Sequence, residues 1–271
     1  MSRWREYTFA LIYSAAATVC AEPLSPQRQK EILQDALGNY DRAVSAARTD
    51  PAQSGQLYRQ SAAGFTALLD AGVQSPALEY NLGNLYFRLG DLGQAILHYR
   101  RAQRLDPADE RLAANLRYTR DRVEPAIAPT GQTRLARQIL FVHYTTSLQQ
   151  RFWWLVAASG AGYALLLAWL KWRRRGLVVS GLIGVALGLS FGLSVLYELN
   201  ERATQPAAVI VAGQPYLRYE RDDRDNSNLV LKQPLGPGVE LTILQQRGDW
   251  VEVRLPNDQT GWLPANAVSR V

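Results

Sequence analysis

Cysteine is nearly missing: Cys20 is the only one in 271 residues. A chain that loses it in processing can form no disulfide and do no thiol chemistry, so packing alone must stabilise it. Histidine is almost as scarce. His98 and His143 are the two present, and neither belongs to an H-E-x-x-H or a cluster of metal-ligating types; no P-loop occurs either. The residues therefore offer no enzymatic site and call for no metal or cofactor. Acidic residues are missing from one stretch. Residues 125–175 carry seven basic groups (Arg134, Arg137, Arg151, Lys171, Arg173, Arg174, Arg175) and no Asp or Glu, while 1–22, 23–124 and 201–271 are each within one charge of neutral. The formal excess of +6 thus gathers around the apolar segments. Nucleic-acid binding would need a basic stripe on a folded unit, and none is offered. Anionic lipid and the rule that keeps basic loops cytoplasmic account for the cluster.

Long apolar runs are what the sequence does have. Residues 1–21 read as a signal peptide, with a short basic start, an apolar run from Thr8 to Val19 and small residues at Val19-Cys20-Ala21; cleavage is expected after Ala21. The alternative is an uncleaved anchor, for which a dozen apolar residues is short. Residues 152–170 and 176–197 are uncharged and long enough to cross a bilayer as helices. Ser147 and Gln150 have capping-box spacing ahead of the first, and Phe152, Trp153, Trp154 and Tyr197 stand where an aromatic belt would lie. The loop 171–175 between the spans is basic, which predicts that it is cytoplasmic and that both flanks lie outside.

The second span carries Gly176, Ser180, Gly184, Gly188 and Gly192 at four-residue spacing, a stripe that lets another helix approach closely. Gly184, Gly188 and Gly192 are its candidate packing residues. Gly160, Ala164 and Ala168 offer the same spacing in the first span, so the stripe serves either an intramolecular hairpin or a partner's helix. Gly188-Leu189-Ser190-Phe191-Gly192 fits G-x-S-x-G, but inside a lipid-spanning helix it has no strand–turn–helix corner to act from.

Residues 76–109 follow the 34-residue tetratricopeptide pattern: Leu82, Gly83, Tyr86, Ala95, Tyr99, Ala102 and Pro107 fall on signature positions. Glu79 stands where a large residue is usual. Gly83 and Ala95 are expected where the two helices cross, with Tyr86 and Tyr99 filling the gap, and Asp106 is expected to cap the next helix ahead of Pro107. One repeat cannot bury its own apolar face. Residues 28–48 and 53–71 supply two earlier helices, the second with Tyr58, Ala62, Phe65 and Leu68 on one face. Residues 107–123 supply a later one, in which Arg117 and Arg120 mark a solvating cap. His98 is read as solvated on the repeat's surface. The concave face of such a unit is lined by Tyr80, Asn84, Phe87 and Arg88, with Asn115, Tyr118 and Arg122 from the next helix. These suit an extended peptide, Asn holding backbone and Arg a carboxylate; the alternative is that Asn84 is a consensus helix residue and the arginines are merely solvated.

Residues 125–132 read as a linker, and Arg134–Tyr144 as a basic amphipathic helix for the membrane surface, the two together filling 125–151. Beyond Arg202 the period becomes two: 207–211, 229–232, 239–244, 250–255 and 260–263 read as short strands. Gly248-Asp249-Trp250 followed by Gly261-Trp262-Leu263-Pro264 resembles bacterial SH3-like domains, which implies a small bent barrel over 203–271. Trp250 and Trp262 belong to its core, its groove wall or a ligand surface, and Glu220–Asp225 reads as a longer loop.

The order signal peptide (1–21), tetratricopeptide-like helical domain (22–124), two transmembrane helices and SH3-like barrel resembles the BatE proteins of bacterial aerotolerance operons, most specifically over Asn81–Asp109. That resemblance implies partners with von Willebrand factor A domains and, indirectly, a MoxR-type ATPase. It points to a non-enzymatic inner-membrane adaptor with both domains in the periplasm. A cell-wall binder acting through the barrel is the alternative.

Overall fold

Helix starts repeat one device. In the computed structural model, which describes residues 24–128, 130, 146–221 and 228–271, α1 (Pro26–Ala46), α2 (Pro51–Asp70) and α3 (Pro76–Arg88) each open on a proline behind Ser25, Asp50 or Ser75. Proline costs nothing there because its missing N–H would have no helical partner. Ser25 and Asp50 also accept a bond from the amide three residues on, and Asp91 does the same for α4 (Leu92–Leu105). The last helix of this set, α5 (Glu110–Arg120), departs from expectation. Its cap is Asp109, which accepts from the amides of Arg111 and Leu112, whereas Asp106 closes α4. Those amides win the competition for the helix start. Desolvation acts against the Asp109 charge, but the bonds from Leu112 and Arg111 outweigh it and hold its carboxyl below the usual range. The expected signal peptide, the segment Arg134–Tyr144 with His143, and residues 222–225 of the charged stretch lie outside the described residues.

The five helices pack as antiparallel neighbours. Between α1 and α2, Ser61 Oγ donates to Ala36 O and Ser54 Oγ to Ala43 O, and Gly64 meets Ala36. Tyr58, Ala62, Phe65 and Leu68 are all buried there, with Leu78, Leu82 and Leu85 of α3. Between α3 and α4, Gly83 lies flat against the Tyr99 ring, as the repeat pattern requires. Two readings change at this seam. Glu79 is buried, its carboxylate 2.6 Å from Nδ1 of His98, and His98 is buried and stacked on Tyr86. The unusual Glu79 thus has a matching partner in the opposite helix, and His98 is not solvated.

The apolar helices are α6 (Leu148–Trp172) and α7 (Arg175–Thr204), an antiparallel pair joined through Arg173 and Arg174 alone. The expected loop 171–175 shortens because Lys171, Trp172 and Arg175 complete the helices. The capping box of Ser147 and Gln150 forms. Both helices are long and apolar enough to cross a membrane. Gly184 meets the backbone of Gly162 and Ala158, Gly188 meets Ser159, and Gly192 faces Leu155 at van der Waals distance. The matching face of α6 is therefore Leu155, Ser159 and Gly162 rather than Gly160, Ala164 and Ala168; Gly160 and Gly176 meet nothing. Arg151, buried at one end of the pair, donates to Ser194 Oγ and pairs with Glu198. Ser190 sits mid-helix and donates back to Leu187 O, so the G-x-S-x-G match carries no nucleophile geometry.

Five strands follow: β1 (Ala207–Ile210), β2 (Glu240–Arg247), β3 (Trp250–Arg254), β4 (Thr260–Pro264) and β5 (Val268–Arg270), antiparallel in the order β4-β3-β2-β1-β5. Residues 229–232 form no strand; Leu229 makes only an isolated bridge to Arg218, because the backbone there turns away. Leu241 and Ile243, Val251 and Val253, and Leu263 alternate into a core that also takes the adjacent Val209 and Ile210 and does not stop at the sheet. The same cluster contains Ala95, Ile96, Leu97, Leu112, Leu116 and Val123 of the helical part. Gly93 lies against the backbone of Ile210 and Val211, and Gly238 against Val123 and Ile96, so only glycine leaves room for the contact. Gly236 N donates to Glu124 O at 3.1 Å, and Arg101 Nη2 to Arg270 O at 2.9 Å. Glu240 of β2 takes Arg120 Nη2 at 2.9 Å and Arg100 Nε at 3.0 Å. Arg120 is therefore a docking contact and not a solvating one. The stretch expected as a free linker is also held where it is described: Ile127 packs on the core and Thr130 N donates to Pro256 O.

Candidate functional site

The concave side of α1, α3 and α5 forms a cleft of about 410 Å³ lined by Tyr40, Tyr80, Asn84, Phe87, Arg88, Tyr99, Asn115, Tyr118 and Thr119. Six of the seven groove residues picked from the sequence meet in it. Arg122 stands at its rim, its guanidinium 3.4 Å over the Tyr118 ring and 5.8 Å from that of Phe87. Spacing explains the convergence: residues 80, 84 and 87 lie on one helical face of α3, and 115 and 118 on the facing side of α5.

A hydrogen-bond network sets which groups remain for a ligand. Tyr99 OH donates to Asn84 Oδ1 at 2.7 Å, and Asn115 Nδ2 donates to the same oxygen and to Tyr80 OH, each at 3.0 Å. Asn84 Oδ1 is thereby saturated. Among the described residues its amide nitrogen and the Asn115 Oδ1 take no side-chain hydrogen bond, leaving one donor and one acceptor in the cleft, the pair an extended peptide backbone would need. Burial pushes the Tyr99 phenol well above its usual range, with neighbouring Tyr80 adding to it. Burial raises the Tyr40 phenol too, against the attraction of Arg88. Both hydroxyls therefore stay protonated and can donate. Among the described residues no carboxylate lines the cleft, and Arg88 is exposed beside it.

Three lining residues escaped the sequence reading. Tyr99 was placed as filling between helices, which it is, but its hydroxyl reaches the cleft. Thr119 sits one turn beyond Asn115 and donates back to its carbonyl. Tyr40 comes from α1, where the 34-residue pattern has no clear match; its ring is half-buried and tilted against that of Tyr58, a contact the sequence does not reveal.

A second cleft, about 540 Å³, lies on the sheet between Tyr219, Glu220, Arg221, Arg247, Trp250 and Trp262. Both tryptophans are half-buried, and the Arg221 guanidinium lies 5.3 Å from the Trp262 ring centroid. No group of three or more His, Cys, Asp or Glu that could hold a metal occurs among the described residues.

Residues 76–109 match the tetratricopeptide repeat family. That match covers the α3–α4 pair and the helical seam of Gly83 and Tyr99, and it associates this part of the chain with protein–protein interaction. No curated protein and no solved structure matches the chain.

Proposed function

We propose that the protein is a non-enzymatic adaptor anchored in the bacterial inner membrane, which captures an extended segment of a partner protein in the cleft of α1, α3 and α5. The observation that carries this reading is the open amide pair of Asn84 and Asn115 set among aromatic rings and two arginines. The anchor is α6–α7, whose large apolar side chains point outward along the whole pair, Leu167 and Leu193 with about two thirds of their surface exposed (67% and 69%). Such a surface is stable in lipid and aggregates in water.

Residues before α6 and after α7 pack on each other, which supports both flanks lying on one side, and the Lys171–Arg175 charges support a cytoplasmic turn on the other. Alkaline phosphatase fused after residue 130 or residue 271 is expected to be active, and fused at 174 inactive; activity at 174 overturns the arrangement. The strand order β4-β3-β2-β1-β5 and the short turn of Ala265–Ala267 before β5 support an SH3-like barrel. Resemblance to BatE proteins supports a partner with a von Willebrand factor A domain, and indirectly a MoxR-type ATPase, in an envelope stress-tolerance or assembly complex.

The test is a photo-crosslinking residue at Phe87 in intact cells, followed by mass spectrometry. Arg88→Ala with Arg122→Ala leaves the core untouched but removes charge-assisted bonds of about 1.5–3 kcal/mol each, so capture is expected to fall at least tenfold. Undiminished capture by the folded double variant removes the cleft from the function. The aromatic cleft on the sheet favours one second reading, cell-wall binding. Purified peptidoglycan should then retain the full chain and release it on Trp250→Ala; equal retention of both ends that reading.

A further inference from the structure

The helix α5 forms one whole wall of the cleft, yet it has little of its own to stand on. It has 11 residues, a length at which an isolated helix is marginal in water. In a longer repeat array a following helix would cover it. Here the chain turns at 121–124 and leaves for the apolar hairpin. What meets the end of α5 instead is the C-terminal sheet: Glu240 takes Arg120, Gly238 receives Val123, and Gly236 bonds Glu124 O. The same sheet grips α4 through Gly93 and Arg100. In each helix the two contacts are one residue, about 100°, apart. Tyr99 and Thr119 face the cleft, and the next residues in each helix, Arg100 and Arg120, hold Glu240.

We propose that the C-terminal sheet is the capping element of the helical array, with Glu240 a positioning residue that fixes α5, and through it Asn115 and Tyr118, as the second wall of the cleft. This rests on the cleft being the working site, but its test does not. Glu240 does not line the cleft, so its effect there passes through the helices it holds, α5 by Arg120 and α4 by Arg100. The geometry also separates docking from helix formation. A methyl group on Gly93 would sit 2.7 Å from Ile210 O and 2.9 Å from Val211 Cα, both backbone, while alanine is the better helix former. Gly93→Ala therefore pushes the sheet away without weakening α4 itself.

Amide hydrogen exchange on the full chain in lipid nanodiscs, resolved to single residues, decides the matter. Exchange of Gly236 N reports docking, since its acceptor is Glu124 O. In Gly93→Ala with Glu240→Arg, Gly236 and the amides of Ala113–Arg120 are expected to exchange at least tenfold faster, with α1 and α2 within twofold of the parent. Protection of α5 that persists after Gly236 has lost its own overturns the proposal. So does unchanged protection at both. If the double variant loosens α1 and α2 as well, Glu240→Gln takes its place: it keeps the shape, removes the charge, and is expected to speed α5 exchange about threefold while α1 and α2 stay as they were. No change on α5 in that variant also overturns the proposal. Because no peptide takes part, failure here leaves peptide capture standing. Conversely, ordered α5 dependent on Glu240 without any capture at Phe87 would sink the adaptor reading alone.

Discussion

Glycine draws two helices together in the α3–α4 repeat and again in the α6–α7 hairpin, but it meets different things. In the repeat, Gly83 receives the flat ring of a buried tyrosine, and a methyl placed on it would stand 2.4 Å from Tyr99 Cδ1. Water supplies the driving force there, and the aromatic gives it area to act on. In the hairpin, Gly184 meets Gly162, backbone against backbone, where a methyl would stand 2.9 Å from Cα. If that pair crosses a membrane, as proposed, lipid is as apolar as any side chain, so only close packing is gained, and the smallest residues give the closest packing. One residue type thus serves a large aromatic partner in the repeat and an equally small one at Gly184 in the apolar pair.

The comparison can be broken most forcefully at Gly83. Tyr99 cannot leave without giving up its bond to Asn84, so Gly83→Leu overpacks a closed seam and is expected to cost about 3 kcal/mol or more. A lowered urea midpoint of the helical part in the full chain measures it. Next comes Gly184→Leu with Gly188→Leu. Both raise apolarity, so insertion persists, but the pair is expected to separate and lose protease resistance severalfold while α1–α5 melts within about 0.5 kcal/mol of the parent. Intact resistance would show that the glycine contact holds nothing.

Tyr99→Phe probes the watery seam more gently, at about 1 kcal/mol near neutral pH for the lost hydrogen bond. It also has a sign in pH. Folding raises the Tyr99 phenol above its unfolded value near 10, so its contribution is intact below that pH and is lost as pH rises toward the folded value. The parent should therefore lose stability above about pH 10 more steeply than the variant, with Tyr40 responsible for part of the remaining slope. A denaturant series from pH 8 to 11 checks it. The smallest effect is expected from Gly160→Leu, which points into open space and should stay within about 0.5 kcal/mol; a large loss would mean that a second face of α6 is covered.

Local pattern carried much of this structure. The helices of the 76–109 repeat, the Gly83–Tyr99 crossing and the capping box at Ser147 follow from spacing and turn chemistry, which act within a few residues, whereas the start expected at Pro107 gave way to the cap at Asp109. Six cleft residues followed from the same helical periodicity. What escaped was set by contacts distant in sequence. Glu79 looked like a flaw in the repeat until His98 was found beside it, and Arg120 looked solvated until Glu240 met it. Tyr40 lies in a helix whose repeat signature has drifted, and the α6 face was misjudged by half a turn because two small-residue stripes compete there. Charge pairs across 120 positions leave no periodic mark on either partner.

The continuity of the core from α4 to the sheet has a consequence in time. Ribosomes add about 5–20 residues per second, so the roughly 120 residues between the end of α5 and β2 take on the order of 6–24 s to appear. Through that interval Ile96, Leu97 and Val123 have been made and their partners have not. On the proposed membrane reading, the hairpin has to be threaded and folded back in the meantime. A waiting greasy surface of this kind is what holding chaperones bind, and a chain whose hairpin goes in the wrong way never covers it. Such a chain would carry its own mark for degradation.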